Sequence, residues 1–357
     1  MTNKELIDLL NKSKRLEQDQ WVQLFCTFDE EDFQYARQIA AQLTRQNFGN
    51  QVFFRGLIEF SNICQNDCYY CGIRKSNSRP VRYRLSEEEI LHCCREGYEL
   101  GFRTFVLQSG EGGWSASDAF LHLIQSMRQE FSDCAITVAV GECSREFYEK
   151  LFAAGANRYL LRHETADSVH YSRLHPPEMR LENRLNCLKT LREIGFQCGC
   201  GMMIGSPYQS AETLAKDMEL ITEFQPEMVG IGPFLSQKDT PFKDFPSGEV
   251  SLTLFAICLI RILSPQVLMP ATTALETRGR SGRIEGILCG CNVVMPNLSP
   301  ENVKKNYMLY DNKAGIHQSG AQSLESLRRE MESIGRRVVV GRGDHIRFSR
   351  PGKKDAR

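Results

Sequence analysis

Three cysteines stand at positions 64, 68 and 71, inside the stretch CQNDCYYC. Thiolates are soft ligands that suit zinc or iron–sulfur clusters. Structural zinc normally takes four protein ligands, whereas a cubane of four irons and four sulfides takes one cysteine per iron. A C-x3-C-x2-C triad therefore leaves one iron with an open coordination position, and an open position is where chemistry can occur. The competing reading is a zinc knuckle completed by a distant cysteine or histidine. Elsewhere, Cys93 and Cys94 fall in a helical stretch, and Cys134, Cys187 and Cys258 have apolar neighbours; these are expected as small core residues. Cys198-x-Cys200 and Cys289-x-Cys291 could hold a second metal, although no partner His or Cys is obvious for them.

The triad needs a scaffold, and 357 residues can bury a sizeable core. The 44 Lys+Arg balance 44 Asp+Glu, so no overall field favours nucleic acid or an anionic membrane. Residues 1–20 are polar and charged rather than signal-like. The longest apolar run, 252–263, is interrupted by Arg261 and is too short to span a bilayer. Fourteen cysteines without an export signal point to reduced thiols in the cytoplasm.

Apolar residues at helical spacing (Leu6, Leu9, Leu10; Ala36, Ile39, Ala40, Leu43) predict a helical extension over residues 1–50. Eight short β-rich runs follow, at 55–64, 104–110, 135–140, 158–165, 198–205, 228–234, 268–274 and 293–297. Amphipathic helical stretches separate most of them. Ser86 and Glu89 make a capping-box pattern, and Gly101, Gly155 and Gly195 are placed to end helices. Such alternation argues for parallel βα units, and eight units predict an α/β fold, a (β/α)8 barrel over residues 51–310. No G-x-G-x-x-G follows the first strand, which speaks against an open doubly wound sheet. Residues 311–357 are expected to form a C-terminal helix and a basic tail. From residue 336 onward eight Lys/Arg face two Asp, which reads as a solvated, poorly ordered strip, with docking of an acidic partner as the alternative. The RGD at 342–344 is taken as chance.

In such a barrel, residues at the C-terminal ends of the strands face the active site. Those ends carry Cys64, then Gln108, Ser109, Gly110 and Glu111, then Gly141-Glu142, then Arg162, His163, Glu164 and Thr165. Gly205, Pro233, Thr272, Thr273 and Asn297 continue round the rim.

The triad at the end of the first strand, with Tyr70 before its last cysteine, resembles the radical SAM superfamily. That resemblance implies one 4Fe–4S cluster held by Cys64, Cys68 and Cys71. Its open iron would be chelated by the amino and carboxylate groups of S-adenosyl-L-methionine (SAM). Reduction by an external electron donor would cleave SAM to a 5′-deoxyadenosyl radical. SGEGG (109–113) resembles the glycine-bearing segment that binds the SAM amino group. GMMIG (201–205) resembles the family's fifth-strand segment, and VGIGPF (229–234) its sixth-strand segment beside adenine. Cofactor contacts are thereby implied for Tyr70, Ser109, Gly110, Glu111, Glu164, Arg184, Met203 and Ile231.

Longer stretches narrow the resemblance. FGNQVFFRGLIEFSNICQNDCYYCGIRKSN (48–77), RYLLRHETA (158–166), PATTALE (270–276) and NVVMPN (292–297) are similar to the HydE family of FeFe-hydrogenase maturases, over about residues 30–310. Biotin synthase and methylornithine synthase share that barrel. The resemblance implies that Gln108, Arg162, Thr272, Thr273, Tyr307 and Tyr310 line a substrate cavity. It implies a small iron-bound, sulfur-bearing cysteine species as substrate, and HydG and HydF as functional partners under anaerobic conditions. Some HydE proteins carry three more cysteines near the C-terminus; the segment after Tyr310 has none, which predicts a single cluster. Plainer readings stand beside these roles. Arg162 and Arg184 could be ion pairs, Tyr307 and Tyr310 could pack on one helical face, and His163 could be a hydrogen-bonded structural histidine. Another biotin synthase-like radical SAM enzyme, a sulfur inserter or a methylornithine-synthase-like mutase, is the alternative function.

Overall fold

The computed structural model describes residues 1–279, 281–314 and 320–348. Helices α1 (Asn3–Ser13), α2 (Gln18–Thr27) and α3 (Glu30–Phe48) come first, each opened by a reciprocal cap: Thr2 with Glu5, Glu17 with Gln20, Asp29 with Asp32. These caps satisfy backbone donors that a helix start leaves free. Strands β1 (Gln51–Phe54) and β2 (Gly56–Ser61) follow in line and together form the first barrel strand. The βα units then run α4 (Glu87–Glu99), β3 (Thr104–Ser109), α5 (Asp118–Glu130), β4 (Ala135–Ala139), α6 (Arg145–Ala153) and β5 (Arg158–Leu160). They continue through α7 (Ser168–Leu174), α8 (Leu181–Ile194), β6 (Gln197–Ile204), α9 (Ala211–Phe224), β7 (Met228–Pro233) and α10 (Val250–Leu263). After α11 (Thr273–Arg278) and α12 (Gly282–Leu288) come β8 (Val293–Val294), α13 (Glu301–Lys304), α14 (Gly320–Ser333) and β9 (Arg337–Val339).

The expected helix boundaries hold where caps define them. Ser86 accepts from the Glu89 amide at the head of α4 while Glu89 bonds back to Ser86. Gly155 and Gly195 end α6 and α8 in the left-handed region, at φ +116° and +108°, where a side chain would be strained.

Strands β2 to β7 pair in parallel in sequence order. Closure of the barrel is lighter. Leu268 bridges Met228, Pro270 bridges Val293, and Leu57 bridges Asn297. Backbone N–H groups of Phe53, Arg55 and Leu57 donate to the carbonyls of Asn292, Val294 and Pro296. The strand expected over 268–274 is thus reduced to bridges at Leu268 and Pro270. Proline offers no N–H to a ladder, and Thr273 already belongs to α11. The strand expected over 158–165 stops at Leu160.

The N-terminal helices sit on the outside of the barrel, α2 against α9 and α3 against α10. Helix α10 is almost wholly buried, and its Arg261 is accommodated by donating to Gly290 O (2.6 and 2.9 Å). Among the described residues no helix is long and apolar enough to cross a membrane.

The C-terminal strip departs from expectation. β9 adds in parallel to β1, and the chain then passes under the barrel. Asp344 accepts from Arg158 Nη2 and from Gln197 Nε2, both at 2.7 Å. Thr104 Oγ1 donates to Arg342 O at 2.8 Å, and His345 N donates to Gln197 Oε1 at 3.0 Å. Thr104, Arg158 and Gln197 open β3, β5 and β6, so residues 342–345 close the N-terminal end of the barrel. Arg342 and Asp344 therefore have a structural task; Arg336, Gly343 and His345 are buried, whereas residues 346–348 are exposed. Residues 349–357 of the expected tail lie outside the described residues.

Candidate functional site

After Ser61 the chain leaves the rim as a loop carrying the three cysteines. Little regular structure holds this loop, so side chains do. Arg82 donates from Nη1 to the carbonyls of Asn62 (2.6 Å) and Ile73 (2.8 Å), and from Nη2 to those of Arg74 (2.6 Å) and Asn77 (2.8 Å). Asp67 accepts from Arg74 Nε at 2.8 Å and from Ser76 N at 3.0 Å. The Arg74 guanidinium holds the Asp67 carboxyl well below the usual range. Gly72 N donates to Leu309 O across the rim at 2.9 Å.

The end of β3 meets the loop through glycine. A Cβ on Gly110 would lie 2.6 Å from Cys64 Cβ and 2.3 Å from Ile63 O, closer than real Cβ atoms approach. Next door, Glu111 N donates to Cys64 Sγ at 3.4 Å.

Burial pushes the thiols of Cys64 and Cys68 up, and that of Cys71 up to about 12. Cys64 and Cys71 raise Cys68 further, and Cys64 raises Cys71, so the three groups sense each other's charge. A coordinating thiol ionises when its metal supplies the positive charge.

Tyr70 places its hydroxyl 3.0 Å from His175 Nε2. Burial lowers His175 to about 3, so the ring is neutral. Its Nδ1 faces Tyr171 O at 2.9 Å and carries the proton; Nε2 then accepts from Tyr70. Arg184, despite its place on α8, reaches the rim. Its Nε donates to Glu142 Oε1 (2.6 Å), Nη1 donates to Arg162 O (3.0 Å), and Nη2 lies 3.7 Å from Glu111. Burial opposes its charge, but Tyr171, Glu111 and Glu142 outweigh burial and raise its pKa. Glu111 itself is pushed up by burial.

Deeper, Arg162 Nη2 donates to Met202 O at 2.8 Å while its buried Nε has no partner. Glu164 Oε2 is 3.0 Å from that guanidinium but lacks a hydrogen bond. Glu164 has φ +64°, a conformation costing a non-glycine residue roughly 1 kcal/mol. Thr272 precedes α11 without capping it, and its buried Oγ1 has no partner. Glycines of β7 make room: a Cβ on Gly232 would lie 2.6 Å from Thr272 Oγ1, and Gly230 faces Arg162. Gln108 Nε2 donates to Tyr307 Oη at 3.2 Å.

Not every expected residue joins in the expected way. Ile231 is fully buried in the main apolar cluster, on the strand face opposite Gly230 and Gly232. Only its backbone can line the interior. Met203 packs with Leu174, Phe234 and Phe242. Ser109 Oγ donates to Gly110 O at 2.6 Å. Thr273 bonds through its carbonyl to Thr277 within α11. Tyr307 and Tyr310 lie beyond α13 rather than on a helical face; Tyr307 is buried, Tyr310 half-buried. His163 is structural, facing Asp217 (3.2 Å) and accepting from Gly201 N (3.2 Å). Cys93, Cys94, Cys134 and Cys258 are buried as expected, but Cys187 is half-exposed. Cys198, Cys200, Cys289 and Cys291 are buried in the main apolar cluster.

Sequence reasoning missed Arg82, whose role depends on carbonyl positions that no local pattern encodes. It also missed the buried Glu59, which accepts from Asn297 Nδ2 (2.8 Å) and is bonded by Lys313. Lower in the interior it missed Arg55, with two partnerless guanidinium nitrogens, and Thr137, with a partnerless hydroxyl. Strand alternation, with polar residues amid apolar ones, was the available signal.

Comparison with known proteins fits this geometry. The Radical SAM superfamily model matches residues 58–221. The [FeFe] hydrogenase maturase subunit HydE of Thermotoga maritima is 40% identical over 299 residues, covering 84% of this chain and 85% of that protein. The chain belongs to the radical SAM superfamily, as a HydE-type protein. A radical SAM enzyme of this kind implies a 4Fe–4S cluster and SAM. The 3-methylornithine synthase of Methanosarcina acetivorans is 28% identical, covering 87% of this HydE-type chain and 84% of that protein. Two solved structures share the barrel: methylornithine synthase (PylB), TM-score 0.81 at 24% identity over 94% of this chain and 97% of that one, and HydG, 0.78 at 20% over 95% and 77%.

Proposed function

We propose that this chain is a maturase of FeFe-hydrogenase assembly that acts on a small, iron-bound, sulfur-bearing cysteine species. In this reading Cys64, Cys68 and Cys71 hold the single cluster and leave one iron for SAM. When bound, the reduced cluster and SAM together supply a 5′-deoxyadenosyl radical. The protein's part is to bind, orient and exclude water. Arg82 and Gly110 keep the cysteine loop against the rim. Arg184 is the bidentate partner for the methionyl carboxylate, exchanging Glu142 for it, and Glu164 and the backbone at Ser109-Gly110 receive the amino group. Tyr70, Met203 and the Ile231 backbone border the adenine.

The observation that carries the reading is the pair of buried polar atoms without a hydrogen bond, Arg162 Nε and Thr272 Oγ1. Buried polar groups are rarely left unpaired, and these lie around one region of the barrel interior. They await a polar substrate, with Gln108, Thr273, Tyr307 and Tyr310 completing its walls. HydG is the supplier of the substrate and HydF the recipient of the iron fragment.

Reconstituted protein, SAM, reductant and the HydG product should give adenosine-derived adducts at sulfur. Turnover of dethiobiotin or of lysine in their place would favour the biotin-synthase-like or methylornithine-synthase-like alternative and refute this one.

A further inference from the structure

The ladder between β5 and β6 changes step beside the site. Leu160 pairs with Gly199, and the next bridge joins Glu164 to Met202. Four residues thus run against three, so the chain continuing β5 carries one extra residue. Such bulges re-aim side chains next to active sites. Here the backbone turns to φ +64° at Glu164, and the carboxylate comes to lie 3.0 Å from the Arg162 guanidinium.

Two side chains behind the barrel wall hold that turn. Gly201 N donates to His163 Nδ1 at 3.2 Å, so an imidazole stands in the ladder where a carbonyl of β5 would. With Nδ1 accepting, the ring proton sits on Nε2 and is donated to Asp217 Oδ1 at 3.2 Å. The same oxygen accepts from Ala166 N at 2.5 Å. One carboxylate oxygen on α9 therefore grips the chain on both sides of Glu164. His163 and Asp217 are fully buried, and Asp217 Oδ2 has no hydrogen bond. A carboxylate taken wholly out of water is costly, and apolar residues of similar volume would fill this place at least as stably. Packing does not call for this pair, whereas the pose of Glu164 does.

We infer that Asp217, acting through His163 and the Ala166 amide, is a positioning residue that aims Glu164 at SAM. The inference rests on the SAM role proposed above for Glu164. Asp217 and His163 touch neither cofactor nor substrate; they fix the backbone from which Glu164 reaches in.

The test uses the reconstituted holoprotein, with SAM affinity measured by calorimetry and amide exchange of residues 162–167 by mass spectrometry. D217A should weaken SAM binding at least tenfold and speed exchange of that segment at least tenfold. D217N keeps a carbonyl oxygen for both N–H groups and should bind SAM within threefold of wild type. In the E164G background D217A should cost less than twofold more, because its effect passes through Glu164. H163L fills the space without either hydrogen bond, and it carries the same cycle should D217A fail to fold. A tenfold loss from D217A in E164G as well would mark a merely stabilising residue and overturn the inference. Unchanged exchange in D217A or H163L would also overturn it, as would D217N as weak as D217A. Wild-type SAM affinity in E164G would instead strike the role of Glu164, while the exchange data still judge the clamp.

Discussion

Replacing Arg82 with alanine removes four hydrogen bonds from one guanidinium to the carbonyls of Asn62, Ile73, Arg74 and Asn77. Hydrogen bonds to a charged group contribute about 1.5–3 kcal/mol each when buried. Arg82 is only partly buried, so water replaces much of each loss, and about 1 kcal/mol per bond is the fair figure. The sum, about 4 kcal/mol, corresponds to about a thousandfold shift toward an opened cysteine loop. The barrel core is untouched, so the melting temperature of the whole chain should move by only a few degrees. Iron content after anaerobic reconstitution and limited proteolysis of the metal-free protein within residues 72–81 separate the two effects. R82A should bind little iron and be cut many times faster in the loop. R82K, a point charge without the planar fork, should fall between. Full iron content and unchanged proteolysis in R82A would refute the idea that this residue organises the loop.

Other outcomes follow from the same geometry. E164G relieves the φ +64° backbone and should keep or raise stability by up to about 1 kcal/mol while weakening SAM binding tenfold or more by calorimetry; equal SAM affinity would remove Glu164 from the cofactor site. T272V, nearly isosteric, should leave SAM cleavage intact and cut product formation at least tenfold in single-turnover assays; a wild-type yield would show that its unpaired hydroxyl meets no substrate. For Asp344, burial opposes ionisation, but the Arg158 guanidinium outweighs it, and the carboxyl is held well below the usual range. Its stabilisation is therefore complete above the unfolded pKa of about 3.9 and is lost as pH falls through the lower folded value. Thermal melts should show wild type losing stability on acidification below about pH 4. D344N should be about 2–3 kcal/mol less stable at neutral pH with a flatter acid limb; parallel curves would contradict this.

Much of the scaffold was legible because local chemistry marked it. Ser86 with Glu89, and the glycines at 155 and 195, define helix ends by interactions within a few residues, and these fell where expected. Seven of the eight expected runs hold a strand. The run at 268–274 does not, since Pro270 and the early start of α11 reduce it to bridges. Residues 342–345 of the C-terminal strip were misread because its Arg and Gly content looks solvated. Its partners, Thr104, Arg158 and Gln197, lie more than a hundred residues away in sequence. At the candidate site, cysteine spacing suggested a ligand set, and the ends of the expected strands carried Arg162, Glu164 and Thr272. Arg82 and the Glu59–Lys313 pair stayed hidden because their partners converge only in three dimensions.

The central claim is a three-cysteine cluster with one iron left open, and anaerobic reconstitution followed by electron paramagnetic resonance tests it most directly. The account predicts about four irons and four sulfides per chain and a reduced signal that changes when SAM is added. Both should be lost in C64S, C68S and C71S. A colourless protein holding a single zinc, or a cluster signal indifferent to SAM, would contradict it.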